Sequence, residues 1–111
     1  MVNYRTDLDN TFAALSHPTR RHILTRLERE HECTISDLAQ PLGMKLPALM
    51  KHLDVLANAS LIRRFKEGRT VTVRISPMPL RQALGWLHRY DRFWTPRLDR
   101  LKAYAEAKDK R

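Results

Sequence analysis

Cysteine occurs once, at Cys33, so no intrachain disulfide framework is available and any thiol chemistry rests on a single side chain. Glycine occurs only three times in 111 residues. No low-complexity tract or internal repeat is present, which argues against a flexible linker or disordered tail, except for the charged end from Lys108 to Arg111. No apolar run approaches the ~20 residues of a membrane span, nor is there a signal-peptide core, so the expected location is the cytoplasm, with no membrane partner. Acidic residues are in deficit: 12 Asp and Glu stand against 21 Lys and Arg, a formal net charge of +9. That balance favours a polyanionic partner such as nucleic acid over an acidic small molecule. A Gly-rich phosphate cradle, a nucleophile phrase and paired carboxylates in an apolar setting are all missing, so the chain does not read as an enzyme and implies no cofactor. Its length fits one domain, residues 1–111, large enough to bury a real core.

Along the chain, Thr6-Asp7 and Asp9 mark a helix start, with Leu8, Phe12 and Leu15 as its apolar stripe. His17-Pro18 opens a second helix that buries Ile23, Leu24 and Leu27 and ends in the charged run Glu28 to Glu32. Arg20, Arg21, Arg26 and Arg29 decorate its exterior, either as solvated charge or as phosphate contacts. After a β-prone link at Cys33-Thr34-Ile35, Ser36 serves as N-cap of a short helix through Leu38, Ala39 and Leu42. Gly43 can terminate that helix, which Pro41 requires to be short or tight. In the next helix Leu46, Leu49, Leu53 and Leu56 share one buried face, leaving Pro47, Met50, Lys51 and Asp54 on another. Two β-rich runs, Leu61 to Phe65 and Thr70 to Ile75, flank Lys66-Glu67-Gly68-Arg69, so they read as a hairpin with Val71, Val73 and Ile75 on its packed side.

The fold class that follows is mainly α with a small β-hairpin: a helix-turn-helix at about residues 36–57, then a wing at about 61–75. A long final helix, about 78–106, carries Leu80, Leu84, Leu87, Trp94, Leu98 and Leu101 on three- and four-residue steps, with Trp86, Tyr90 and Phe93 beside them. Pro96 predicts a kink or break within it. So wide an apolar face exceeds what the small upstream core can cover, and homodimerisation is the natural solution; the alternative is a helix that folds back as a lid.

Between Lys45 and Arg74, seven basic residues (45, 51, 63, 64, 66, 69 and 74) stand against Asp54 and Glu67, a local net charge of +5. In a helix-turn-helix the second helix enters the major groove of double-stranded DNA with its N-terminal part near base edges. Lys45, Ala48, Met50, Lys51 and His52 would lie closest, Lys51 reaching a guanine edge or a phosphate and Met50 and Ala48 suiting a thymine methyl. From the hairpin, Arg64, Lys66, Arg69 and Thr70 would reach the backbone or the adjoining groove.

The phrases Ala13 to Leu24 (AALSHPTRRHIL), Ile35 to Ala39 (ISDLA), Leu46 to Leu53 (LPALMKHL) and Glu67-Gly68-Arg69 together resemble the ArsR-type winged-helix transcriptional repressors over roughly residues 8–104. The segment from Trp86 to Leu101 resembles a subgroup with an aromatic C-terminal helix. This resemblance implies a homodimer paired through its first and last helices, with Leu8, Phe12, Leu84, Trp86, Leu87, Tyr90, Trp94, Leu98 and Leu101 at the contact. It also implies a palindromic operator and repression of the chain's own operon until an effector, here unknown, releases it. Two positions depart from the family's pattern, Lys45 and Met50, where serine is common, so the operator sequence does not carry over.

Metal sensing is the family's best-known activity, but the thiolate phrase Cys-Val-Cys-Asp-Leu is here Thr34-Ile35-Ser36-Asp37-Leu38, with neither thiolate. The last helix holds His88 alone of the five histidines, so no metal site is expected. Two other readings stand beside the repressor: a protein-interaction module docking through the aromatic helix, and a redox-responsive repressor using Cys33.

Overall fold

The computed structural model describes the backbone of residues 4–109 and the side chains of residues 6–93 and 97–108. Six α-helices and three strands follow in the order α1 (Tyr4–Leu15), α2 (Pro18–Glu30), β1 (Glu32–Thr34), α3 (Ile35–Leu42), α4 (Leu46–Asn58), β2 (Ile62–Glu67), β3 (Thr70–Ile75), α5 (Met78–Leu87) and α6 (Asp91–Asp109). A 3₁₀ turn, His88–Tyr90, joins the last two helices. The strands form one antiparallel sheet in the order β1-β3-β2. This is a winged helix-turn-helix: α3 and α4 supply the helix pair, and the β2–β3 hairpin supplies the wing.

Local chemistry explains most boundaries. Pro18 occupies the first turn of α2, and the His17 Nδ1 accepts the Thr19 N–H at 3.1 Å, satisfying an amide that the helix leaves orphaned. The cap of α3 is Thr34 and not Ser36: the Thr34 hydroxyl accepts from the Asp37 N–H at 3.1 Å while the Asp37 carboxylate accepts from the Thr34 N–H at 3.3 Å. This reciprocal box fixes the helix start two residues earlier than the serine alone implies, because it satisfies two donors at once. Gly43, at φ 58°, ends α3 in the left-handed region despite Pro41 within the helix. The end of α4 is tighter still. Ser60 takes φ 60° while the Leu61 N–H reaches back to the Leu56 carbonyl and the Ser60 N–H to that of Ala57, both at 2.9 Å. This paired closure brings Leu61 against Leu56, both fully buried.

The first strand runs further than the β-rich composition indicates, through Glu67, and the second begins at Thr70 as expected, so the turn is only Gly68-Arg69. Gly68 sits at φ 60° in the first central position, where a side chain would be strained. The short link at Cys33 becomes a third strand, pairing Cys33 with Val73.

The core joins Ile23, Leu24 and Leu27 of α2, Leu38 of α3, and Leu49, Leu53 and Leu56 of α4 to Ala14, Cys33, Leu61, Ile62 and Val73. Leu46 is absent from it. The expected four-leucine face loses its first member: Leu46 is 55% exposed and borders an open groove in place of the core.

The C-terminal region departs furthest from expectation. The sequence predicts one long helix kinked or broken at Pro96; the division falls instead at His88–Tyr90, and α6 is helical from Asp91 to Asp109. The α5 helix packs on α1, where Phe12 and Trp86 meet edge to face at 5.8 Å, and the chain turns shortly beyond that contact. Thereafter α6 has its main contact with the 3₁₀ turn. The radius of gyration is accordingly 18.2 Å, against about 13 Å for a compact domain of this length.

Candidate nucleic-acid interface

Four sides of α4 meet different surroundings. Leu49, Leu53 and Leu56 face the core. Met50 and Leu46 border a groove of about 530 Å³ whose other walls are Thr34, Ile35 and Ser36 at the start of α3 and Arg69, Thr70 and Val71 at the hairpin tip. Lys45, Ala48 and Lys51 are exposed. His52 turns to α2. Lys45, at the N-cap position, makes no side-chain capping bond, so the first amides of α4 keep no donor-satisfying side chain from that residue.

The expected contact residues thus divide. Met50, Arg69 and Thr70 come together around one groove. Lys45, Lys51, Lys66 and Arg69 are exposed and have no ion-pair partner among the described residues. Arg64 is engaged: its Nη1 donates to Asp54 Oδ1 at 2.6 Å, tying the hairpin to α4. Cross-strand pairing puts Arg64 opposite Val73 and Lys66 opposite Val71, on the sheet face that Val71, Val73 and Ile75 share, and Thr70 opposite Glu67 on the other. That second face also carries Arg74, whose guanidinium lies 4.9 Å from the Phe65 ring centre and donates to Glu32 at 2.7 Å.

His52 is half-buried, its ring 4.5 Å from that of His17 and its Nδ1 3.2 Å from Arg20 Nη1. A guanidinium only donates, so this Nδ1 is an acceptor and Nε2 carries the proton. Burial, then the His17 and Arg20 charges, hold the His52 pKa below its ordinary 6.5. The imidazole is neutral at pH 7, and the stability of this contact is present above about pH 6.5 and lost as acid protonates the ring beside Arg20.

The arginines of α2 have a role that periodicity does not reveal. Arg20 donates to the Ala14 carbonyl at 2.7 Å and the Ala13 carbonyl at 3.1 Å, and Arg21 to that of Leu15 at 2.7 Å. They satisfy the orphan carbonyls of α1 and favour the negative end of its dipole. Arg26 bonds Glu30 and the Asp37 carbonyl, joining α2 to α3. A helix stop followed within a few residues by consecutive arginines was the available signal.

From α1 through α5 to the start of α6, Phe12, Trp86, Tyr90 and Phe93 form a ladder with centroid spacings of 5.8, 5.3 and 6.5 Å. Leu8, Asp9, Phe12, Trp86 and Arg89 border a groove of about 480 Å³ between α1 and α5. Leu84, Leu87, Leu98 and Leu101 are exposed; the side chain of Trp94 lies outside the described residues.

Cys33 is 4% exposed, its thiol donating to Glu30 at 3.3 Å. Burial, and next the Glu30 carboxylate, push its pKa up to about 11 from 9.0. At pH 7 the folded chain should therefore react with iodoacetamide at least about 100-fold more slowly than the urea-unfolded chain, because the thiolate is the nucleophile. Equal rates would refute the buried, protonated thiol. Since folding raises this pKa, the associated stability is complete below pH 9 and disappears as pH rises through 11. Among the described residues no three His, Cys, Asp or Glu side chains cluster closely enough to hold a metal ion, and no helix is long and apolar enough to cross a membrane.

Comparison with known proteins agrees with this geometry. A family described as a helix-turn-helix domain matches residues 15–64. The HTH-type transcriptional regulator Rv2034 of Mycobacterium tuberculosis is 34% identical over 95 residues, covering 86% of this chain and 84% of that protein. The transcriptional repressor SdpR of Bacillus subtilis is 29% identical over 80 residues, covering 72% of this chain and 88% of that one. Among solved structures, the crystal structure of an ArsR family transcriptional regulator, RHA00566, superposes with a TM-score of 0.77 at 39% identity over 86% of this chain and 97% of the other. With the winged fold, the exposed basic face of α4 and the hairpin, and these similarities, the chain belongs to the ArsR family of DNA-binding transcriptional regulators.

Proposed function

We propose that this protein is an autoregulatory repressor that binds a palindromic operator as a homodimer, pairing through α1, α5 and α6. The observation that carries the DNA side is the set of exposed cations Lys45, Lys51, Lys66 and Arg69 at the start of α4, along it and on the hairpin, none with an ion-pair partner among the described residues. Cations not neutralised internally are available to displace counterions from phosphate. Lys51 and Ala48 serve base edges, with Met50; Arg69, Thr70 and Lys66 serve the backbone beside them. Arg64 joins them by exchanging Asp54 for a phosphate oxygen, and neutral His52, held by Arg20, orients the helix and offers its Nε2–H. Repression is supported by SdpR, which bears the name of a transcriptional repressor.

Dimerisation is supported by the exposed series Leu84, Leu87, Leu98 and Leu101 and by the partly exposed aromatic ladder. A stable pair buries about 800 Å² per partner, and such a surface supplies apolar contact for it. The whole chain acts as one winged-helix unit inside the cell, and any effector acts on the aromatic surface or the gap between subunits. Titration of the chain's own promoter fragment against random duplex, across salt, tests the reading: preference for the promoter with a steep loss of affinity in salt is expected. Equal, salt-insensitive affinity for both would leave the protein-interaction reading in its place.

A further inference from the structure

Leu46 is fully apolar, opens α4, and is 55% exposed where Leu49, Leu53 and Leu56 are completely buried. A lone surface leucine needs no explanation. This one is not alone: Met50 follows one helical turn later on the same flank, and both border the groove that Ile35, Val71 and Arg69 also line. The chain therefore holds an apolar strip open beside an unpaired guanidinium, at the end of the helix that leads into a DNA groove.

We infer that Leu46, together with Met50, reads the 5-methyl group of a thymine in each operator half-site. This rests on the DNA-binding reading above and extends it to a base and a residue. In the major groove thymine alone presents a methyl group; the other base edges there are distinguished by their donors and acceptors. Neither side chain can pair with those polar edges, so a guanine, cytosine or adenine at this position would lose water without gaining a hydrogen bond. Thymine's methyl loses nothing and buries its surface against Leu46 and the thioether. Arg69, across the groove, holds the neighbouring phosphate and so sets the depth at which the helix seats. Preference for thymine is thus a property of the first turn of α4, where the helix outruns its own core.

Exchange of thymine for deoxyuridine tests this, since it deletes the methyl and leaves every base-pairing group in place. The duplex bound best is first selected from random sequence, and each thymine is then replaced singly and in symmetric pairs. One symmetric position should stand out for the wild type, with a loss of about fourfold per methyl and about tenfold or more for the pair. In Leu46→Ala/Met50→Ala the same exchange should change affinity less than twofold. Leu46 lies outside the buried core and Met50 packs against it only in part, and a thermal melt of the variant verifies that it folds. A wild type indifferent to uridine at every position would overturn the inference while leaving DNA binding intact, as would an undiminished uridine effect in the double variant. Failure to select any preferred duplex would overturn the DNA-binding reading itself, and this inference with it.

Discussion

Leu98→Glu/Leu101→Glu should run as a monomer at micromolar concentration and the wild type as a dimer, and the variant should bind operator on the order of 10²–10⁴-fold more weakly. The two leucines are 58% and 65% exposed in the single chain, so the charges disturb little within it. Across a two-fold axis each new carboxylate would meet apolar surface or its own mate, and burying it unpaired is prohibitive. The affinity loss follows because a monomer grips one half-site and gives up the second as an intramolecular event. Light scattering reads the mass, and fluorescence anisotropy the affinity, on one preparation whose cooperative melt shows that it is folded. A variant that stays dimeric would refute the α6 contact; a monomer that binds operator as tightly as the wild type would refute dimer-dependent recognition.

Arg69→Ala and Lys51→Ala should both weaken DNA binding without unfolding the chain, and with different signatures. Arg69 sits at the hairpin tip with no ion-pair partner among the described residues. Its loss should lower affinity on all sequences and flatten the salt slope by about one unit for each phosphate contact removed. Lys51 stands on the outward side of α4, and its removal should relax discrimination at one position by ~1–3 kcal/mol if it meets a guanine edge. Arg74→Ala serves as a contrast, because Arg74 already pairs with Glu32 and lies over Phe65. Unaltered binding by both Arg69→Ala and Lys51→Ala would remove these residues from the interface.

Local rules carried the reading furthest where the chain satisfies them within a few residues. Proline in the first turn of α2, leucines on three- and four-residue steps in α4, and Gly68 between two β-rich runs each specify their element with neighbours alone. The helix-turn-helix and wing were therefore legible, and so was the excess of positive charge along them. The start of α3 was misread because two caps compete, and only the reciprocal bond between Thr34 and Asp37 decides which one wins.

What the tertiary structure decided lies where distant segments meet or fail to meet. Periodicity assigns Leu46 to the buried face, since it records direction around a helix and not how far the core extends along it. Arg20 and His52 are 32 positions apart, and no local pattern pairs them; α2 packing across α4 does. The division of the last helix is of the same kind. Composition points to Pro96, but the chain turns at His88–Tyr90 because α1 holds Trp86 through Phe12 and nothing comparable in the described chain holds α6. Sequence by itself determined the elements and the sign of the partner's charge, through propensities that act over one or two turns. Which side chains remain open at the head of α4, and which arginines remain free for phosphate, depended on contacts between elements far apart in the chain.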